Sequence, residues 1–118
     1  MAKTYDLDCP VARTLDIVGE RWTFLILRDL LRLGPRKFSE FQEAFRGLAP
    51  NTLSDRLKSL EESGIIASRL YERHPPRVEY LLTPKGTALG PVLKALYSWG
   101  ERFGGKRGER RRGVGDAG

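Results

Sequence analysis

The sequence predicts a mostly α-helical domain that carries one small β-hairpin. Apolar residues recur at helical spacing over most of the chain up to Phe103. One segment instead alternates its side chains, with Val78, Tyr80 and Leu82 on one side, which is typical of a half-buried strand. The length of 118 residues and the hydrophobic content of 40% suit one domain with a single core.

Two helices are predicted at the start of this domain. Pro10 suits the first position of a helix, and apolar residues at helical spacing follow it as far as Gly19. Residues 20–33 form a second helix with a broad apolar face. Gly34 and Pro35 end that helix, because neither residue supports its continuation.

A short helix, a turn and a fourth helix come next. Ser39 and Gln42 have the spacing of a capping box, so Ser39 is expected to cap the third helix. Residues 47–49 form a glycine-containing break, after which Pro50 begins a helix that ends at Gly64. A short helix, a tight turn and a second helix with a polar outer face are the pattern of a helix-turn-helix.

A hairpin and a last helix complete the predicted order. Residues 65–70 and 77–82 are predicted strands. Their connection, residues 71–76, is too long for a two-residue turn, so we expect it to protrude. Thr83 caps the last helix, which Pro91 is expected to kink. Because the hairpin follows the second helix of the helix-turn-helix directly, the motif is predicted to be winged.

The net charge of +6 indicates a polyanionic partner, but half of it lies at the C-terminal end. Residues 104–118 carry a net charge of +3 and include six glycines, so we predict a disordered basic tail there. Residues 1–8 are interpreted as an N-terminal arm. The folded domain is therefore predicted to span residues 9–103 and to be only mildly basic.

Several classes of protein do not fit this sequence. The longest apolar run, Phe24 to Leu27, is far shorter than the ~20 residues that cross a bilayer, and residues 1–8 lack the apolar core of a secretory signal. One cysteine and one histidine exclude a disulfide framework, a metal site and a catalytic triad within one chain. We therefore expect no cofactor, no metal, no membrane association and no enzymatic activity.

Nine short segments between residue 9 and about residue 103 occur in the order and spacing of a known family of regulators. They are Cys9-Pro10-Val11, Gly19-Glu20-Arg21-Trp22, Ile26-Leu27, Phe38-Ser39-Glu40, Leu53-Ser54-Asp55-Arg56-Leu57-Lys58, Glu61-Glu62-Ser63-Gly64, Pro76-Arg77-Val78-Glu79-Tyr80, Leu82-Thr83-Pro84-Lys85-Gly86 and Trp99-Gly100. With these segments the chain resembles the HxlR family of winged helix-turn-helix transcriptional regulators. This resemblance implies a prokaryotic, cytoplasmic, homodimeric regulator of double-stranded DNA whose terminal helices form the dimer interface. Lys37, Phe41 and Ala49 depart from the family, which usually has Arg, Leu and a capping Ser at these positions.

The fourth helix is the candidate recognition helix, because one face is apolar and the other polar. A recognition helix inserts its N-terminal part into the major groove, so its early polar residues are the candidates for contacting bases and its other polar residues for phosphates. The alternative is a face that is merely solvated, with Arg56 paired to a carboxylate. The base candidates are Asn51, Thr52 and Asp55, and the phosphate candidates are Ser54, Arg56 and Lys58.

The hairpin carries a second group of candidate DNA contacts. Arginines on an exposed tip can enter a minor groove and respond to its width. The alternative is a solubilising tip, because Glu72 and Glu79 are interspersed with the basic residues. The candidates are Arg73, His74 and Arg77 at the tip and Arg69 on the incoming strand.

Cys9 is a candidate sensor of oxidants or electrophiles. It precedes Pro10 at the start of the first helix, where free amides and the helix dipole favour negative charge on the sulfur, although Asp6 and Asp8 oppose it. Some members of the resembled family use a cysteine in this position as a sensor. The alternative is a small residue packed against the dimer partner.

The last helix has more apolar surface than a domain of this size should leave exposed, which favours a homodimer with the first helix as the opposing face. Two other functions stay open: a winged-helix module for protein contacts, and a non-specific nucleic-acid-binding protein that depends on its basic tail. The sequence points to no particular effector. The predicted interface residues are Leu89, Val92, Leu93, Leu96, Tyr97, Trp99 and Phe103.

Overall fold

A computed structural model describes residues 9–105 and has six helices and three strands in that range. The predicted N-terminal arm, and the predicted basic tail from residue 106 onward, lie outside the described residues. The chain divides into two compact units, with the boundary between Ala88 and Leu89. The elements are α1 (Pro10–Val18), α2 (Arg21–Leu33), β1 (Arg36–Lys37), α3 (Phe38–Ala44), α4 (Pro50–Glu62), β2 (Ile66–Arg73), β3 (Pro76–Leu82), α5 (Pro84–Thr87) and α6 (Gly90–Phe103).

The first unit has an apolar core contributed by α1 to α4 and the start of β2. Phe41 of α3 is fully buried, and its ring lies 6.1 Å from that of Phe45 and 6.4 Å from that of Tyr80, measured between centroids. Burial of large aromatic and aliphatic side chains is the main stabilising contribution in a domain of this size. The other buried apolar residues are Val18, Ile26, Leu27, Leu30, Leu48, Leu53, Leu57, Leu60, Ile65 and Ile66.

The sheet is antiparallel, with β3 between β1 and β2. Strand β1 was not predicted, because its two residues have neither alternation nor β-branched side chains, and only their pairing with β3 makes them a strand. The predicted turn is also wrong in length. β2 continues to Arg73, which pairs with Pro76, so the tip contains only His74 and Pro75. The extra residue is accommodated by a β-bulge between Leu70 and Glu72.

The caps of α3 and α6 also differ from the prediction. Ser39 does not cap α3; Lys37 is the N-cap, and its N–H donates to the carboxylate of Glu40 at 2.8 Å. Pro91 does not kink a continuous helix, because the chain breaks between α5 and α6 and Pro91 lies in the first turn of α6, where a proline costs no hydrogen bond. The cap at Thr83 is confirmed, since its hydroxyl accepts from the N–H of Gly86 at 3.1 Å.

Replacing Ala49 by Ser is expected to stabilise the protein by about 1 kcal/mol. Ala49 is the N-cap of α4 and has the extended backbone of a good cap, with φ −65° and ψ 145°, but its side chain accepts no hydrogen bond. A serine hydroxyl would accept from a free amide of the first turn. Urea denaturation of Ala49→Ser and of the wild type, whose alanine lacks the hydroxyl, measures the change in the free energy of unfolding. Equal stability of the two proteins would contradict the prediction.

Candidate nucleic-acid interface

The apolar face of helix α4 packs against the core and its polar face is accessible, as the sequence predicts. Leu53, Leu57 and Leu60 are each 1% exposed and fix the orientation of the helix against the core. The predicted DNA contacts lie on the other side: Asn51, Ser54, Asp55 and Lys58 are exposed and Thr52 is half-buried. The structure therefore brings five of the six predicted residues to one accessible surface, which we call the α4 face.

Arg56, the sixth predicted residue, lies at the border of this face. Its side chain is half-buried, and its Nε atom is buried without a hydrogen-bond partner within residues 9–105. The alternative in which Arg56 pairs with a carboxylate is not observed over that same range. Because its Nε is buried, Arg56 cannot present that atom to a phosphate.

The C-terminal end of α4 is tied to the hairpin and to α5. The carboxylate of Glu61 accepts from the hydroxyl of Ser68 on β2 at 2.9 Å. The ammonium of Lys85 donates to the carbonyl oxygen of Ser63 at 2.8 Å, and the hydroxyl of Thr83 donates to that of Gly64 at 2.6 Å. These bonds hold the α4 face in a fixed orientation relative to the hairpin.

Glu61 has a further effect on a neighbouring tyrosine. Tyr80 lies opposite Ser68 in the sheet, and its ring contacts Phe41. Burial raises the pKa of the Tyr80 hydroxyl above its usual value, and the negative charge of Glu61 raises it further. Tyr80 therefore stays neutral across the physiological pH range. The sequence assigned no role to Glu61, and its position one turn before Gly64 is the only local signal of its contact with β2.

The hairpin carries the predicted basic residues, but two of them have carboxylate partners. Nε of Arg69 lies 2.7 Å from Oε2 of Glu79, and Nε of Arg77 lies 3.5 Å from Oε1 of Glu72. Arg73, beside the tip, has no ion-pair partner among the described residues. The hairpin thus presents Arg73 as its least compensated charge.

His74 at the tip and Lys37 on β1 complete the basic surface around the hairpin. His74 is exposed in the turn between β2 and β3. Nζ of Lys37 lies 4.6 Å from the ring centre of Tyr71, the residue at the β-bulge. Sequence analysis noted Lys37 only as a departure from the family. The contact depends on β1 and on the bulge, which have no local sequence signal.

Helix α6, in the second unit, has no buried residue. Four of the predicted interface residues share one face at helical spacing and are strongly exposed: Val92 (41%), Leu96 (50%), Trp99 (65%) and Phe103 (60%). The rings of the last two are 5.3 Å apart. Of the other predicted residues, Tyr97 is exposed and Leu89 and Leu93 are half-buried.

Cys9 is exposed and caps α1. Its sulfur accepts a hydrogen bond from the N–H of Ala12 at 3.3 Å. The predicted position of Cys9 at the start of the helix is thus confirmed, whereas its reactivity stays a prediction. On α1 itself, Val11, Leu15 and Ile17 are exposed, so this helix also has apolar surface available.

Comparison with known proteins assigns this architecture to a family. Residues 17–107 match the model of the HxlR-like helix-turn-helix family. The chain belongs to the HxlR-like family. It is 38% identical over 95 residues to the HTH-type transcriptional regulator YdeP of Bacillus subtilis, covering 80% of this chain and 73% of YdeP.

Solved structures agree with the HxlR-like assignment. The redox regulator HypR in its oxidized form is 34% identical, superimposes with a TM-score of 0.74, and the match covers 80% of this chain and 96% of HypR. Diamide-treated YodB of Bacillus subtilis is 34% identical with a TM-score of 0.66, and the match covers 82% of this chain and 96% of YodB. The predicted winged helix-turn-helix fold is confirmed.

This HxlR-like protein is therefore a transcriptional regulator of the winged helix-turn-helix type and not an enzyme. Between residues 9 and 105 there is no group of three or more potential metal ligands. Over the same residues, no helix combines the length and the apolar character that a membrane span requires.

Proposed function

We propose that the protein binds double-stranded DNA sequence-specifically as a homodimer, with the α4 face in the major groove and the hairpin in the adjacent minor groove. The observation that carries this proposal is the α4 face itself, whose accessible polar side chains begin in the first turn of a helix that is fixed at its C-terminal end. A rigid scaffold beneath polar side chains is what direct reading of bases requires. The family assignment supports the same function.

The exposed apolar face of α6 supports the homodimer. Apolar patches of this kind on a small domain mark an interaction surface. We propose that α1 and α6 of each protomer bury these faces in a symmetric interface, so that the target is two-fold-related and the two copies of α4 contact major grooves ~34 Å apart. The named relatives YdeP and YodB are bacterial proteins, and we place the action of this regulator on DNA in the prokaryotic cytoplasm.

The experiment that tests DNA recognition starts from a random duplex pool. Repeated selection with the full chain, followed by sequencing, should enrich a two-fold-related motif. The affinity for the enriched duplex, hereafter the selected duplex, is then compared with that for a random duplex of the same length. A pool that acquires no common motif would contradict the proposal.

Arg73→Ala is expected to weaken binding to the selected duplex by about 10-fold, with the larger loss on A·T-rich flanks. Arg73 is the hairpin cation without a carboxylate partner in residues 9–105, and an arginine in a minor groove favours the narrow grooves of A·T-rich DNA. Fluorescence anisotropy with A·T-rich and G·C-rich flanks measures the effect. Arg32→Ala, at the exposed end of α2, is the matched control, and equal losses on both flanks would contradict minor-groove insertion.

We also propose that modification of Cys9 regulates DNA binding. The sulfur is exposed, and similar solved structures include HypR in oxidized and reduced forms and YodB in diamide-treated and reduced forms. A chain with one cysteine can form a mixed disulfide with a small thiol or a disulfide between subunits.

Diamide with glutathione is expected to change the affinity of the wild-type protein for the selected duplex at least several-fold. The oxidant takes up the two hydrogens of the two thiols that become joined, and mass spectrometry identifies the product. Cys9→Ser should bind normally and be insensitive to the treatment. Unchanged binding by fully modified wild-type protein would contradict the regulatory role.

A further inference from the structure

The outer face of the sheet holds a lysine that the proposed contacts leave unused. In the register of the three strands, Glu79 of β3 has Lys37 opposite it on β1 and Arg69 opposite it on β2. Directly opposed residues project to the same face. Glu79 is engaged by Arg69 at 2.7 Å, and within the described range no carboxylate forms an ion pair with Lys37. Lys37 thus keeps an uncompensated positive charge.

Tyr71 holds this charge in place. The bulge between Leu70 and Glu72 inserts Tyr71 as an extra residue of β2, and the ammonium of Lys37 lies 4.6 Å from the centre of its ring. The face of an aromatic ring attracts a cation but does not neutralise it. An exposed lysine ordinarily loses considerable side-chain entropy on binding, and the ring reduces that loss by restricting the side chain in advance.

Lys37 takes part in both the helix-turn-helix and the hairpin. Its backbone caps α3, the first helix of the helix-turn-helix, which crosses the DNA backbone in complexes of this motif. Its side chain contacts the hairpin through Tyr71. In the proposed complex the α4 face lies in a major groove and the hairpin in the adjacent minor groove. The phosphate strand that separates these two grooves is the DNA backbone that α3 crosses.

We propose that Lys37, held over Tyr71, contacts a phosphate of the strand between the two grooves, with Tyr71 as its positioning residue. This inference rests on the proposed function, because it requires the DNA complex described above. It adds a backbone contact that fixes the register of α4 and the hairpin together, and phosphate contacts serve that purpose in protein–DNA complexes.

The salt dependence of binding tests this contact. Each phosphate contact contributes about 0.9 to the slope of log affinity against log salt concentration. Lys37→Met should therefore lower the magnitude of the slope for the selected duplex by about 1.8 in a dimer, whereas Lys37→Arg should retain it. Lys94→Met, at an exposed position of α6, is the matched control with an unchanged slope. Lys37→Gln serves as a second neutral variant if thermal denaturation shows that Lys37→Met does not fold.

Tyr71 variants separate positioning from a merely structural role. Tyr71→Phe should bind like wild type. Tyr71→Leu should bind about four- to 25-fold more weakly in a dimer, because each of the two protomers loses an exposed cation–π contact that contributes about two- to five-fold. In both variants the salt slope should stay unchanged, because Lys37 still meets the phosphate. An unchanged slope in the neutral Lys37 variants would overturn the inference. A wild-type protein without preference for the selected duplex would instead contradict the proposed function itself.

Discussion

Leu96→Glu is expected to convert the dimer into monomers and to weaken binding to the selected duplex by at least about 100-fold. Leu96 is 50% exposed and lies between Val92 and Trp99 on the apolar face of α6. In the proposed dimer this face is shielded from water. A dimer of the variant would bury two unpaired carboxylates there, one from each protomer, and burial of an unpaired charge costs free energy. A monomer engages one half-site only, and the loss of a linked second site typically costs 10²–10⁴-fold in affinity.

Ser98→Glu is the matched control for this variant, because it adds the same charge to an exposed position on the opposite side of α6. It should remain dimeric and bind normally. Sedimentation velocity gives the oligomeric state, and anisotropy titration gives the affinity. A dimeric Leu96→Glu protein, or a monomer with wild-type affinity, would contradict the assignment of α6 as the interface.

Asn51→Ala is expected to remove about 1–3 kcal/mol of discrimination between the preferred base pair and the others at one position of each half-site. Asn51 is exposed in the first turn of α4, and an asparagine can form two hydrogen bonds to an adenine edge. The expected result is a loss at one position of the motif rather than uniform weakening.

Titration against a set of duplexes in which every base pair of the motif is varied in turn measures this effect. Ser59→Ala, at an exposed position near the other end of α4, is the control and should leave the motif unchanged. If Asn51→Ala weakens binding to all duplexes equally, Asn51 contacts the backbone, and the proposed direction of insertion of α4 is wrong.

The parts of the fold that sequence analysis predicted have strong local signals. Helical spacing places Leu53, Leu57 and Leu60 in the core, and they are buried. A cap followed by proline predicts the start of α5 at Thr83, and its hydroxyl makes the capping hydrogen bond. Both features depend on residues within one or two turns of each other.

The parts that sequence analysis missed depend on residues distant in the chain. Strand β1 exists only because Arg36 and Lys37 pair with Tyr80 and Glu79, more than forty positions later. The bulge at Tyr71 depends on the register between β2 and β3. The same pairing extends the hairpin to Arg73 and Pro76, beyond the segment whose side chains alternate in the sequence. No local pattern encodes these pairings.

The candidate site likewise has parts with a local sequence signal and parts that depend on residues distant in the chain. The exposed polar residues of α4 could be predicted because one helical face determines the other. The ion pairs of the hairpin could not be predicted, because the sequence does not show which carboxylates lie beside Arg69, Arg73 and Arg77 after folding. Pairing with Glu79 and Glu72 leaves Arg73 as the uncompensated arginine of this group within the described residues.

The central claim is that the folded residues 9–103 recognise a DNA sequence. It is tested most directly by affinities for the selected and the random duplex across a salt series, with the full chain and with a chain that lacks residues 104–118. Our account predicts at least about 10³-fold preference for the selected duplex, retained in the truncated chain with only a modest loss of affinity. A ratio near one, or a preference that disappears with the tail, would contradict it.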